Sequence, residues 1–139
     1  MIGYFWTHSE LPLLIKRSIT YMKKILVVDD DPDVRKLWNI VLSKQGYEVV
    51  EAEDGSLALD IAKAAMPDLV ISDVMMENLN GFMLYELLRE ESSTKNIPMI
   101  FVTGEAQKAG AWASDPTVAY LEKPVEPQEL LDAVKKKLE

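Results

Sequence analysis

From Lys23 onward, short apolar runs alternate with amphipathic stretches of helical spacing, five times over. The runs are Ile25-Leu26-Val27-Val28, Tyr47-Glu48-Val49-Val50-Glu51-Ala52, Asp68-Leu69-Val70-Ile71, Ile97-Pro98-Met99-Ile100-Phe101-Val102 and Val118-Ala119-Tyr120-Leu121. Strands that are apolar on both faces belong inside a parallel sheet covered by helices on either side. Strand–helix alternation without a break means an α/β fold, a doubly wound parallel sheet with right-handed crossovers.

The helical stretches carry their own punctuation. Asp31-Pro32 supplies an N-cap and a proline at the first helical position. Val34, Leu37, Trp38, Val41 and Leu42 form one stripe, and Gly46 closes that helix. The second helix follows Glu53-Asp54-Gly55, with Leu57, Ala58, Ile61, Ala62 and Ala65 expected inward. The third runs from Phe82 to Glu91, a short fourth from Ala106 to Ala113, and a fifth from about Pro127, with Leu130, Leu131, Val134 and Leu138 inward. Lys135-Lys136-Lys137 complements the negative end of that last helix.

Residues 1–22 read differently and form an N-terminal extension; residues 23–139 form one domain. Leu11, Leu14, Ile15, Ile19 and Met22 have helical spacing behind Ser9, so the extension reads either as an amphipathic helix or as non-native residues before a natural start at Met22. Lys16 and Arg17 follow the apolar segment, the reverse of a secretory leader. No run approaches the length of a membrane-spanning helix.

Composition removes several chemistries. There is no cysteine, and His8 is the one histidine, so thiolate, Ser–His and histidine–zinc catalysis are excluded as central mechanisms. The chain carries a net charge of −8, which opposes a nucleic-acid-binding surface. The absence of cysteine fits a reducing compartment, and a cytoplasmic location is expected.

What remains is carboxylate, hydroxyl and lysine chemistry, and the parallel sheet gathers it. Asp29 and Asp30 follow the first strand, Asp73 the third, Thr103 the fourth and Lys123 the fifth. Parallel strands end on one side, the edge where open α/β sheets bind ligands. Three crowded carboxylates repel one another, and an oxygen-only donor set selects Mg²⁺. A cation, Lys123 and the Thr103 hydroxyl around an oxygen nucleophile are the parts of phosphoryl transfer. Asp73, between the acidic pair and the Thr103/Lys123 pair, is the candidate nucleophile.

These segments, with Ser72-Asp73-Val74-Met75-Met76, Asn80-Gly81, Thr103-Gly104 and Glu122-Lys123-Pro124, resemble the receiver domain of two-component response regulators across about residues 23 to 139. The resemblance implies a flavodoxin-like sheet of five strands in the order 2-1-3-4-5 with five helices. It implies that Asp73 accepts a phosphoryl group from a histidine kinase or histidine phosphotransferase. Asp30, Asp73 and the backbone carbonyl of Met75 would hold Mg²⁺, with Asp29 acting through water. Lys123 would contact the phosphoryl group through a loop with a cis bond to Pro124. Thr103 and Tyr120 would switch together and alter a partner-binding face. The expected role is a stand-alone signalling protein that catalyses only its own phosphorylation and dephosphorylation and acts by contact with a downstream protein. Glu77, Gly104 and Val125 depart from the residues common in that family.

Two other readings share these residues. Asp29-x-Asp31 after the first strand imitates the nucleophile motif of haloacid-dehalogenase-type phosphatases, with Asp29 attacking. A receiver-like module that binds partners without switching is the second.

Overall fold

The computed structural model describes residues 8–10, 12, 22–76, 78–104 and 114–139. Strands β1 (Lys24–Val28), β2 (Glu48–Ala52), β3 (Leu69–Asp73), β4 (Met99–Thr103) and β5 (Val118–Glu122) form one parallel sheet in the order β2-β1-β3-β4-β5. Among the described residues, four α-helices cover it: α1 (Pro32–Ser43), α2 (Gly55–Ala65), α3 (Gly81–Glu90) and α4 (Pro127–Leu138). The expected helix between Thr103 and Tyr120 falls on residues 105–113, outside the described residues, as does most of the extension. Of the extension, His8–Glu10 form a single 3-10 turn.

Strand alternation divides the core into two layers. Ile25, Val27, Leu69, Ile71, Ile100 and Val102 face α1 and α4, where Trp38, Leu42, Leu130 and Val134 close the layer. Leu26, Val28, Val70, Met99 and Phe101 face α2 and α3, against Ala58, Ala62, Leu84 and Leu88. Every residue of β3 and β4 is buried. Burying each apolar side chain of these two strands contributes about 1.5–3 kcal/mol, which holds β3 and β4 firmly in the core.

Two residues expected inward are not. Leu37 is 48% and Leu57 41% exposed. Each sits beside a buried neighbour, Trp38 and Ala58, and the helix turns it about 100° away from the core. Helix starts follow the sequence closely: Asp31, Asp54 and Asn80 each accept an N–H two or three residues ahead at 2.9 Å. Such caps are worth about 1 kcal/mol each.

The β3–α3 connection returns tightly onto the sheet. A Cβ at Gly81 would lie 2.5 Å from the Asp73 carbonyl oxygen and 3.0 Å from Val74 Cα. Gly81→Ala must shift that backbone and should cost about 1–3 kcal/mol in urea unfolding. Gly104→Ala, where an added Cβ meets nothing within 4 Å, should stay within about 0.5 kcal/mol of the parent.

Candidate functional site

Sheet register builds the site. Val28 pairs with Ser72, Asp73 with Val102, and Thr103 with Glu122. One step past each pairing, Asp29 leaves β1 beside Asp73, Thr103 ends β4, and Lys123 leaves β5 beside Thr103. The Lys123 N–H donates to the Thr103 carbonyl at 2.9 Å, holding the last two strand ends together.

The side chains converge as the sequence predicts. Asp29, Asp30 and Asp73 each bring a carboxylate oxygen within 4.8 Å of the other two. Asp73 is 7% and Asp29 5% exposed, whereas Asp30 faces solvent. Asp73 Oδ2 lies 3.1 Å from Lys123 Nζ, and its Oδ1 accepts the Met75 N–H at 3.2 Å. Thr103 is buried at the same edge. The Lys123–Pro124 bond is cis. Met75 itself is 75% exposed, and Asn78 turns the following loop through a left-handed φ of 65°. Glu77 lies outside the described residues.

Burial pushes the Asp29 carboxyl up to about 6, with the neighbouring Asp73 charge adding to the effect and the Asp31 N–H opposing it. The Asp31 N–H donates to Asp29 Oδ1 at 2.9 Å. Asp29 thus carries its charge in a buried setting and is tied to the turn that opens α1. The three-carboxylate cluster and this raised Asp29 are what a hard divalent cation would relieve, so the donor set fits Mg²⁺.

Arg35 was not singled out by sequence reasoning. Its guanidinium donates to the Asp29 carbonyl and lies 3.4 Å from Glu51 on β2, tying α1 to the end of β1. The signal was its place one helical turn after Asp31, which points it back along α1. An apolar groove of about 420 Å³ opens beside the acids, lined by Val34, Trp38, Val102, Pro124 and Val125 with Asp29 and Lys123 at its rim.

Because the Asp29 carboxyl stands above its ordinary value in the folded chain, the folded state binds more protons there than the unfolded state. Its ionisation removes stability as pH rises from about 4 through about 6, and the loss is then constant. Asp29→Asn in chelator should raise Tm by about 3–6 °C at pH 8. The gain should vanish toward pH 4. A thermal melt showing equal Tm at pH 8 would contradict the burial of this charge.

The chain matches the family model described as response regulator receiver domain over residues 25–135. It is 35% identical over 115 residues to protein PilH of Pseudomonas aeruginosa, covering 81% of this chain and 95% of that protein. Over 110 residues it is 43% identical to the probable transcriptional regulator ycf27 of Cyanophora paradoxa, covering 78% of this chain and 45% of that protein. It thus spans about half the length of several curated relatives that it matches. Among solved structures it is similar to the chemotaxis protein CheY4 of Vibrio cholerae, with TM-score 0.78, 34% identity, and 84% and 99% of the two chains covered. It is also similar to the response regulator TrrA of Thermotoga maritima in complex with Mg²⁺ and beryllofluoride, with TM-score 0.73, 35% identity, and 84% and 100% covered. With the five-stranded order, the acidic cluster and these likenesses in agreement, the chain belongs to the response regulator receiver domains of two-component systems.

Proposed function

We propose that Asp73 is the phosphoacceptor of this receiver domain. The observation that carries the reading is the position of the Asp73 carboxylate, shared between the acidic pair on one side and Lys123 at 3.1 Å on the other. The donor would be a phosphohistidine of a histidine kinase or histidine phosphotransferase. An Asp73 carboxylate oxygen attacks phosphorus, the P–N bond breaks with its electron pair passing to the ring nitrogen, and the phosphohistidine ring, protonated on its other nitrogen, leaves as neutral imidazole.

Mg²⁺, held by Asp30, Asp73 and the Met75 carbonyl with Asp29 behind them, would supply positive charge to the transferring oxygens. Lys123, relieved of its pairing with Oδ2, turns to a phosphoryl oxygen. Thr103 presents its hydroxyl to another. The new group adds about −1.5 to −2 of charge and three acceptors. Its pull on Thr103 and Lys123 is read out through Tyr120, whose ring lies against Phe101 at 5.6 Å. Couplings of this kind run at about 1–3 kcal/mol and alter the affinity of a downstream protein. The chemistry is confined to gaining and losing this one group. The same reading carries a cytoplasmic setting, partners that are proteins rather than nucleic acids, and a boundary near residue 22 between extension and domain.

Acetyl phosphate with Mg²⁺ should leave a hydrolytically labile phosphoryl group on the Asp73 peptide by mass spectrometry. Asp73→Asn should abolish it. Lys123→Ala should slow labelling by about two orders of magnitude. Label on Asp29 in place of Asp73 would move the chemistry to the rival motif, and no label on either would end the phosphoacceptor reading.

A further inference from the structure

A second polar cluster sits where α3 meets the start of β5. The Tyr85 hydroxyl donates to Asp115 Oδ2. Asp115 Oδ1 accepts the Thr117 N–H at 2.8 Å and the Thr117 hydroxyl at 2.7 Å. Arg89 donates from Nη2 to Thr117 Oγ1 at 2.9 Å, and its Nε lies 3.9 Å from Asp115 Oδ2. Its guanidinium stands 4.8 Å over the Tyr85 ring. From the other face, Lys137 donates to the Pro116 carbonyl at 2.9 Å. The tyrosine hydroxyl, then the Thr117 hydroxyl, hold the Asp115 carboxyl down to about 2, so it stays charged throughout the working range.

The same cluster leads to Tyr120 by two routes. Asp115 begins the segment that continues directly into β5. Tyr85 also meets Phe101 edge-on at 6.3 Å, and Phe101 carries the tilted Tyr120 ring. The Tyr120 hydroxyl is buried with no hydrogen-bond partner among the described residues, and so is Arg89 Nη1. A buried donor without an acceptor opposes burial of its own side chain. The ring is therefore held in by packing and by the anchoring of its strand, not by its hydroxyl.

We propose that Asp115 is a positioning residue for Tyr120. By clamping the entry to β5 onto α3 through Tyr85 and Arg89, it keeps the Tyr120 ring against Phe101 before the Asp73 site is loaded. The proposal rests on the reading of Asp73 as phosphoacceptor and Tyr120 as the switch. By linkage, if loading Asp73 favours the buried ring, a clamp that favours the buried ring also favours loading.

The test uses the full chain carrying fluorotyrosine, with the Tyr120 resonance assigned through Tyr120→Phe. Asp115→Asn and the isosteric Tyr85→Phe are titrated with Mg²⁺ alone and then with beryllofluoride in excess Mg²⁺. Both variants should keep the parent's Mg²⁺ affinity, bind beryllofluoride about 3–10-fold more weakly, and shift the Tyr120 resonance toward its exposed position. Parent-like beryllofluoride affinity in both overturns the proposal, even if both melt at lower temperature, because that pattern is structural support alone. A parent chain that takes no beryllofluoride overturns the phosphoacceptor reading first, and the positioning role falls with it.

Discussion

Everything at the functional edge depends on keeping three carboxylates together. Asp29 and Asp73 are almost wholly buried, and Asp30 brings a third acid within 4.8 Å. In the folded chain Lys123 offsets part of this repulsion, reaching past the end of β4 from the end of β5 to Asp73 at 3.1 Å. The burial that raises Asp29 is the same burial that makes charge changes at this edge matter. A water-exposed cluster of the same residues would be screened and would transmit little.

That crowding is possible because the scaffold below it cannot yield. β3 and β4 are buried at every position and sandwiched between two apolar layers, so Asp73 and Thr103 sit on rigid posts. The loop after Asp73 folds back so closely that Gly81 has no room for a side chain. Rigid strand ends next to loops that can rearrange are the combination a switch needs: a local charge event finds a fixed anchor and a movable neighbour. The groove lined by Trp38, Pro124 and Val125 opens directly beside the acids, so apolar surface adjoins the carboxylate cluster.

The sequence exposed some features through local rules and hid others that depend on rotation or distance. Apolar runs ending in Asp30, Asp73, Thr103 and Lys123 were legible because parallel topology converts successive strand ends into neighbours. The cap at Asp31 was legible because it acts within three residues. Leu37 and Leu57 were misread because an apolar residue flanking a helical stripe looks the same whether it falls just inside or just outside the buried arc. The contacts of Glu51 on β2 with Arg35 and Asn39 on α1 were not legible, because they join segments far apart in the chain. The Tyr85–Asp115–Arg89 cluster left no trace in any local pattern, since its members meet only where α3 side chains reach the segment that leads into β5.

By itself, then, the sequence determined the alternation of strands and helices, the parallel sheet, and the identity of the residues at its carboxyl edge, because periodicity and strand polarity are properties of short stretches. Only the tertiary structure decided the register that sets Asp29 beside Asp73, the burial that raises Asp29, and the clamp at the entry to β5. Those depend on distances between segments far apart in the chain, which packing alone fixes.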